Sequence, residues 1–359
     1  MKIVEVIPHL NIKAGAESLF IDLCVELKKE FNTDVEVVFL FDGIYEEFKN
    51  RLDEVQIKYT SLGKKDGLDR KCAKKFKELI NKINPDVLHT HLNSVLTYYL
   101  AFGAKKQNWK VYHTVHNVAD KETTDFPNKF ARKRLLKQHI LTNVAISDKI
   151  KGTILNYYGT KYEVPVIYNG INLVKTKAEE KEYDFINVAR FTHQKNHMYL
   201  LDELKILKET NPNVKVVLLG DGELLEPAKQ KAKVLGLEDN VTFVGYTNEV
   251  YKYMSKSKAF VLPSLFEGNP ITILEAMNSG LPIIASDVGG VSDVLVNERN
   301  GLLINPLNKN ELANAMNKLL NNQEMCEKMA NNNKNDVVKY SISNCSKGYM
   351  ELFEGKLDE

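Results

Sequence analysis

The chain has 359 residues, 43% of them hydrophobic and 27% charged, with a formal net charge of +2. This length exceeds one ordinary hydrophobic core and favours two domains of a globular protein. No run reaches the roughly 20 apolar residues of a membrane-spanning helix, and the four cysteines show no metal-like spacing, which favours a reducing cytoplasm.

Short apolar runs alternate with longer amphipathic segments, which predicts strands alternating with helices. The first run, KIVEVI, predicts a β-strand and not a signal peptide. The ten predicted strands are KIVEVI, DVEVVFLF, PDVLHTH, WKVYHTV, NVAIS, DFINVAR, VKVVLLG, NVTFVG, AFVLPS and PIIAS. This alternation is typical of parallel sheets with right-handed crossovers. Ten strands exceed one compact sheet, so we predict an α/β protein with two Rossmann-like, doubly wound domains facing a central cleft.

The boundary between the two domains is expected in the least regular stretch, VPVIYNGINLVKTKAEEKEYD at 164–184, where an Asn-Gly turn precedes a charged segment. We assign residues 1–168 to the first domain and 169–342 to the second. A last helix at about 343–359 is predicted to pack back on the first domain.

Polar residues follow the predicted strands in both halves, where ligands of parallel sheets bind. In the first half these residues are His9, His89, His91, His113 and His116. In the second half they are Arg190, Lys195, Gly220, Asp221, Gly222 and Glu267.

The segment PSLFEGNPITILEAMNSG, at 263–280, predicts a strand, a tight turn and a helix. Asn269 suits the N-cap and Pro270 the first helical position, which starts the helix near Ile271. Its free N–H groups and dipole form a site for phosphate. Glu267 would lie beside that site and Glu275 about two turns along the helix. Two carboxylates beside an anion site indicate a polyhydroxylated, anionic ligand, and a nucleotide sugar is the first candidate.

Several further motifs occur in order along the chain. They are AGAES, DVLHTHL, TVHN, IYNGIN, VARFTHQKN, LLGDGEL, FVGY, PSLFEGNPITILEAMNSGLPIIASDVGG and NGLLINP. Together they resemble family 4 glycosyltransferases of the GT-B fold, whose E-x7-E pair corresponds to Glu267 and Glu275. The resemblance implies transfer of a sugar from a nucleoside diphosphate sugar to an acceptor hydroxyl with retention of configuration, in bacterial polysaccharide or glycolipid synthesis.

The resemblance also implies roles for individual residues. Arg190 and Lys195 match the basic pair that grips the donor diphosphate. Lys195 and Glu267 are both expected to face the solvent-filled cleft and not the core. Glu267 matches the carboxylate that holds sugar hydroxyls, and Glu275 the one that binds the ribose. The backbone of the turn matches the part that donates N–H groups to sugar and phosphate, namely Gly268, Asn269, Pro270 and Ile271.

Three further positions come from the same resemblance. Gly15 matches a donor-contacting loop that is usually richer in glycine, and Gly222 belongs to a turn that shapes the base and ribose pocket. His116 matches the histidine near the transferred sugar, where it hydrogen-bonds the sugar or the developing charge. The nearby H-x-H, His89 and His91, has no acidic or cysteine partner at useful spacing, so structural hydrogen bonding is favoured over zinc.

We therefore expect a metal-independent hexosyltransferase with no cofactor and no metal site. Uridine is the expected base because it is frequent in such donors. Two alternatives remain: a nucleotide-sugar epimerase of the same fold, and a non-catalytic nucleotide-sugar-binding protein. The expected partners are the nucleotide sugar and a glycan or lipid-linked acceptor.

The first 168 residues hold 27 Lys and Arg against 21 Asp and Glu. No aromatic-interleaved basic motif accompanies this excess, so nucleic acid is not expected. The basic residues form two clusters, Lys64, Lys65, Arg70, Lys71, Lys74, Lys75 and Lys77 in one, and Lys129, Arg132, Lys133, Arg134 and Lys137 in the other. They predict either a solvated surface or peripheral binding to the anionic inner face of the membrane by a cytoplasmic protein.

Overall fold

The computed structural model describes residues 1–11, 14–67, 69–92, 109–123, 126–176 and 179–357. The chain divides into two compact units, Met1–Asn172 with Ser341–Glu359, and Leu173–Tyr340. The predicted boundaries at 168 and 342 lie four and two residues from these limits. Parts of three predicted segments lie outside the described residues: 12–13 before the AGAES loop, 177–178 of the linker and 358–359 of the last helix.

The first unit contains a six-stranded parallel sheet in the order β3-β2-β1-β4-β5-β6. Its strands are β1 Lys2–Ile7, β2 Asp34–Phe39, β3 Lys58–Ser61, β4 Val87–His91, β5 Lys110–Val115 and β6 Leu141–Ala145. The helices are α1 Gly15–Phe31, α2 Glu46–Glu54, α3 Arg70–Ile83, α4 Ala119–Glu122, α5 Phe126–Lys137 and α6 Asp148–Tyr158. Every residue of the central strand β4 is buried, as expected for a sheet covered on both faces.

Helix starts in the first unit follow local capping chemistry. Asp69 accepts hydrogen bonds from the backbone of Lys71 and Cys72 and so caps α3. Ser147 caps α6 through the backbone N–H of Ile150. Apolar side chains of these helices then pack on the strands, and Phe76, Ile80, Ile150 and Ile154 belong to one buried cluster with Val4, Leu88 and Val111.

The second unit contains another six-stranded parallel sheet, in the order β12-β11-β10-β7-β8-β9. Its strands are β7 Tyr183–Val188, β8 Val216–Leu219, β9 Val241–Gly245, β10 Ser257–Leu262, β11 Ile283–Ser286 and β12 Leu302–Ile304. The helices are α7 His197–Thr210, α8 Leu225–Val234, α9 Val250–Ser255, α10 Ile271–Asn278, α11 Val291–Val294, α12 Glu311–Leu320 and α13 Gln323–Asp336, with 3₁₀ turns at His193–Lys195 and Val337–Tyr340.

The last helix, α14, spans Ile342–Glu354 and belongs to the first unit. Its first residue, Ile342, donates a backbone hydrogen bond of 2.8 Å to the carbonyl of Ile171. The backbone of Gly170 lies close to α14, since a Cβ added at Gly170 would lie 2.7 Å from the Cβ of Cys345. Glycine at this position therefore permits the packing of α14.

The predicted alternation of strands and helices in two parallel sheets is confirmed. Strands β3 and β12 were not predicted from the sequence; they have four and three residues and lie at the sheet edges. An edge strand pairs on one side only, so a short segment with weak periodicity suffices there. In the described part of the chain, no helix has both the length and the apolar character needed to cross a membrane.

Candidate active site

The turn after β10 carries Glu267 and leads into α10. Pro270 has extended backbone angles, φ −71° and ψ 120°, and is the residue before the helix, which begins at Ile271. The predicted helix start agrees with the structure, whereas the capping position is Pro270 and not Asn269. The first N–H groups of an α-helix lack partners within the helix, and the dipole at this end favours an anion.

Glu267 pairs with Lys195, which ends the 3₁₀ turn after β7. The Lys195 Nζ lies 2.6 Å from Glu267 Oε1, and the two side chains are 16% and 5% exposed. The expectation that both groups face solvent is therefore wrong for Glu267, which is nearly buried, whereas Lys195 is partly exposed. The Lys195 ammonium compensates the charge of the nearly buried carboxylate, and removing either partner would leave the other uncompensated.

Gln194 holds the two loops of this pair together. Its carbonyl accepts a 2.8 Å hydrogen bond from the backbone N–H of Leu265. Its side-chain amide donates to the carbonyl of Phe266 at 2.8 Å. Together with the ion pair, these contacts join two loops that are distant in the sequence, since Lys195 and Glu267 are 72 positions apart.

The backbone of Gly289 packs directly against the backbone of Glu267. It follows β11 and has φ +54°, in the left-handed region that favours glycine. An added Cβ would lie 1.7 Å from the carbonyl oxygen of Glu267. No role was predicted for this residue, although two consecutive glycines after a strand are the signal that marks it.

The GDG turn after β8 packs against the backbone that carries Arg190. Cβ atoms added at Gly220 and Gly222 would lie 2.0 Å from the Ala189 carbonyl oxygen and 2.6 Å from that of Phe191. Both glycines have positive φ, 138° and 149°. The turn therefore fixes the chain at Arg190, whose side chain is exposed.

A buried histidine, His197, lies under this loop and was not singled out from the sequence. Its ring stacks on Phe191 with centroids 3.9 Å apart. Its Nε2 lies 3.0 Å from Oδ1 of Asn187, whose amide donates to the carbonyl of Val261 at 2.7 Å. Burial lowers the pKa of His197 to about 4, so the ring is neutral at pH 7.

The second carboxylate, Glu275, lies on the second turn of α10 and is half-buried. Its carbonyl accepts hydrogen bonds from the backbone N–H and the hydroxyl of Ser279 at 3.0 and 2.9 Å. The structure thus brings Lys195 and Glu267 together at the start of the helix that also carries Glu275.

Gly15 and His116 belong to the first unit. Gly15 is the exposed first residue of α1, and Ala14 before it provides no side-chain cap. His116 directly follows β5. Its Nε2 lies 3.0 Å from Nδ1 of His91, and its backbone N–H donates to Glu122 Oε2 at 2.6 Å.

A buried carboxylate, Glu5 of β1, lies between the two histidines of the H-x-H. Its oxygens lie 3.0 Å from Nδ1 of His89 and 3.0 Å from Nε2 of His91. The parallel pairing of β1 with β4 sets Glu5 beside His89 in register. The expectation that the H-x-H has no acidic partner is therefore wrong, because the partner comes from a strand 84 residues away.

Another buried carboxylate of this unit, Glu122, is held by His113 and Arg132. His113 Nε2 and an Arg132 guanidinium nitrogen lie 2.9 and 3.2 Å from Glu122 Oε1. Arg132 is fully buried, which removes it from the predicted basic surface. Lys64 is also buried, with its ammonium bonded to the carbonyls of Lys65 and Gly67.

Burial and pairing set the charges of this network. Burial alone would raise the pKa of the Glu5 and Glu122 carboxyl groups. The neighbouring histidines, together with Arg132 for Glu122, instead hold both pKa values at about 2. Burial lowers the pKa of His91 and His113 to about 4 and that of His116 to about 3. At pH 7 the carboxylates are ionised and these three imidazoles are neutral.

Among the described residues, one cluster has the composition and spacing to hold a metal ion. Ligand atoms of Glu5, His89 and His91 all lie within 4.8 Å of one another. The same atoms hydrogen-bond to each other in the arrangement above. The absence of a metal requirement stays a prediction.

Two family profiles match the chain: "Glycosyltransferase Family 4" over residues 14–175 and "Glycosyl transferases group 1" over 171–336. An Escherichia coli UDP-Gal:alpha-D-GlcNAc-diphosphoundecaprenol alpha-1,3-galactosyltransferase is 30% identical over 297 residues, 75% of each chain. The Staphylococcus aureus capsular polysaccharide biosynthesis glycosyltransferase CapH is 28% identical over 82% of this chain and 83% of its own.

The crystal structure of Anabaena HepE in complex with UDP-glucose superposes with a TM-score of 0.85 at 20% identity, covering 99% of this chain and 100% of that one. This similarity confirms the GT-B fold predicted from the motifs. The order of the motifs, the two family profiles and the E. coli relative agree. The chain belongs to glycosyltransferase family 4.

Proposed function

We propose that the protein is a retaining hexosyltransferase that moves a sugar from a UDP-sugar to an acceptor hydroxyl. The observation that carries this proposal is the Lys195–Glu267 pair at the start of α10. One cation, one carboxylate and a helix N-terminus supply contacts for a diphosphate and for sugar hydroxyls within one turn.

In this proposal the cations act on the leaving group. Lys195, the exposed Arg190 and the N–H groups at Ile271 stabilise negative charge as the diphosphate departs. The departing phosphate oxygen accepts the proton of the acceptor hydroxyl, which attacks the anomeric carbon from the same face. Because two side chains and a helix end supply the positive charge, no divalent ion is required.

The relatives support the donor and the acceptor class. The name of the E. coli enzyme specifies a UDP-sugar donor and a diphosphoundecaprenol acceptor, and CapH is named for capsular polysaccharide. HepE was crystallised with UDP-glucose. We infer that this chain uses a uridine donor and a glycan or lipid-linked acceptor.

The test starts with a thermal-shift panel of nucleotide sugars. A donor at 100 times its dissociation constant stabilises the fold by about 2.7 kcal/mol. We expect Lys195→Ala to lose this shift, whereas Lys231→Ala, which removes the more exposed pair with Asp202 in the same unit, keeps it. The donor that binds is then incubated with an acceptor panel, and product NMR reads the anomeric configuration.

Each outcome of this test has a distinct meaning. Nucleotide diphosphate release that depends on acceptor, with retention, supports the proposal. Interconversion of the sugar with donor alone would show an epimerase. Binding without turnover across the whole acceptor panel would show a non-catalytic binding protein.

We also propose peripheral association with an anionic membrane through one face of α5. Phe126 and Phe130 are 77% and 60% exposed, with stacked rings 6.3 Å apart. Helical spacing places exposed Lys133, Arg134 and Lys137 along the same side. Exposed aromatic rings beside basic residues are typical of helices that lie in the membrane interface.

A further inference from the structure

A chain of side chains leads from a buried carboxylate to His116. Glu5 Oε2 lies 3.0 Å from His91 Nε2, and His91 Nδ1 lies 3.0 Å from His116 Nε2. Glu5 and His91 are 0% and 1% exposed. The Phe20 ring packs nearly perpendicular to the His91 ring, with ring centroids 5.1 Å apart. Water therefore has no access to the first link of the chain.

The direction of each hydrogen bond follows from the chemistry of the groups. An ionised carboxylate only accepts, so His91 Nε2 donates to Glu5. A neutral imidazole carries one N–H, so the Nδ1 of His91 is an acceptor. The Nε2 of His116 then carries the hydrogen that His91 accepts. Neutral His116 keeps a lone pair on Nδ1 as its remaining hydrogen-bonding position.

The backbone of His116 is held by the second carboxylate. Its N–H donates to Glu122 Oε2 at 2.6 Å, and Glu122 is fixed in turn by His113 and Arg132. Within the described residues, none donates a hydrogen bond to His116 Nδ1. The ring is thus fixed at its backbone and at one nitrogen, and the other nitrogen is left for a ligand.

We propose that Glu5 and His91 are positioning residues that hold His116 as the Nε2–H tautomer, so that its Nδ1 accepts a hydrogen bond from a sugar hydroxyl. This inference rests on the proposed function, because it takes the ligand of His116 to be a sugar. It narrows the two roles implied by the resemblance. A neutral ring with a lone pair on Nδ1 accepts from a hydroxyl group and has no hydrogen there to donate to developing phosphate charge.

The first experiment observes the tautomer directly and needs neither ligand nor activity. In protein with ¹⁵N-labelled histidine, long-range ¹H–¹⁵N correlation separates a protonated ring nitrogen from an unprotonated one, and a His116→Asn variant assigns the signals. We expect a protonated Nε2 and an unprotonated Nδ1 for His116 at neutral pH. A protonated Nδ1 in the wild-type protein would overturn the proposal.

The second experiment reverses the direction of the hydrogen bonds along the Glu5–His91–His116 series, starting at Glu5. A Glu5→Gln side chain can present an amide N–H to His91, which then donates from Nδ1 and leaves Nε2 of His116 as the acceptor. We expect the His116 signals to move toward the Nδ1–H tautomer and kcat to fall about 10-fold to 100-fold, by analogy with partners that orient metal-bound histidines. Unchanged signals and unchanged kcat would contradict the proposal.

The matched control is Tyr349→Phe. The Tyr349 hydroxyl lies 2.8 Å from Thr114, on the far side of His89 from the Glu5–His91–His116 chain. This variant perturbs the same buried region and should leave the His116 tautomer unchanged. If Glu5→Gln fails to fold, the wild-type spectrum alone decides the proposal.

Two further outcomes distinguish this inference from a zinc site and from the proposed function. Stoichiometric Zn²⁺ that shifts the His89 and His91 signals would show a metal site and overturn the hydrogen-bond chain. The predicted tautomer without transfer from any nucleotide sugar would contradict the proposed function and leave the assignment of Glu5 and His91 standing.

Discussion

The two units stabilise their functional groups in different ways. In the first unit, side chains from four elements, β1, β4, β5 and α4, form the network that holds His116: Glu122 accepts from its backbone, and Glu5 acts through His91. In the second unit, backbone packs on backbone, with Gly289 against Glu267 and Gly222 against Phe191. The first arrangement depends on protonation states and the second on the absence of a Cβ. We therefore expect different substitutions and conditions to disrupt the two arrangements.

The largest effect is expected from Gly289→Ala. The new Cβ would lie 1.7 Å from the Glu267 carbonyl oxygen, and φ at this position is +54°. We expect loss of transfer and a fall of the unfolding free energy by at least about 3 kcal/mol, the upper end for a strained backbone. Gly236→Ala is the control, because φ is +65° with nothing within 4 Å of the new Cβ.

Gly236→Ala should cost about 1 kcal/mol and leave transfer intact. Denaturant unfolding and nucleotide release measure both variants. Equal effects of the two substitutions would mean that the backbone contact at Glu267 is unimportant.

The next effect concerns the ion pair. Lys195→Ala and Glu267→Ala should each lower transfer about a hundredfold, equivalent to about 3 kcal/mol of transition-state stabilisation. Lys195→Ala should also destabilise the fold, because it leaves the nearly buried Glu267 carboxylate uncompensated. The double variant Lys195→Met/Glu267→Gln should regain stability without regaining transfer.

Unfolding curves and initial rates of the two single variants and the double variant measure these effects. Near-normal turnover in either single variant would contradict the assigned roles. A double variant as unstable as Lys195→Ala would contradict the argument from the uncompensated charge.

Acid should destabilise the first unit before the second. His91, His113 and His116 have folded pKa values of about 4, 4 and 3, below the ordinary 6.5. Between pH 6.5 and 4 the unfolded chain therefore binds more protons, and the unfolding free energy falls as pH falls. Below pH 4.5 the lowered pKa values of Glu5 and Glu122, both about 2, add to this loss.

Hydrogen exchange at pH 7 and pH 5, resolved by peptide, measures this difference. Among the described residues of the second unit, His197 alone has a comparably lowered histidine pKa, about 4. We expect protection in β4 and β5 to fall more than in β7 and β10. Equal losses in both sheets would contradict the charges assigned to the buried network.

A smaller effect is expected from the exposed face of α5. Co-sedimentation should show binding to anionic vesicles and not to neutral ones, with loss at high salt, because each basic residue near the surface contributes about 1 kcal/mol. Phe126→Ser/Phe130→Ser and Lys133→Glu/Lys137→Glu should both weaken binding. The control is Lys74→Glu/Lys77→Glu, which changes two exposed residues of α3.

Binding that is indifferent to lipid charge would exclude the electrostatic part of this proposal. If the α3 variant weakens binding as much as the α5 variants, both predicted basic clusters contact the membrane.

No effect is expected from metal removal. Transfer in excess EDTA should equal transfer without it, because Arg190, Lys195 and the helix that begins at Ile271 carry the positive charge. A loss of rate that Mg²⁺ or Mn²⁺ restores would show a metal requirement. A loss that only Zn²⁺ restores would point to Glu5, His89 and His91.

Local patterns in the sequence determined much of the fold. Apolar runs of strand length, glycine turns and the Asn-Pro turn before Ile271 predicted ten of the twelve strands and the start of α10. These features depend on neighbouring residues and on backbone conformation, so the sequence displays them directly. The ordered motifs identified the family for the same reason.

Tertiary structure decided the partners of the functional side chains. Glu5 reaches His89 from 84 positions away, and Lys195 reaches Glu267 from 72 positions away. Strand register and loop packing set which of these groups meet, and the fold also buries Arg132, Lys64 and Glu267, which the sequence placed at the surface. The free energy of a charged side chain depends on whether water or a buried partner stabilises it, and the fold decides which of the two surrounds it. The sequence therefore does not distinguish these two cases.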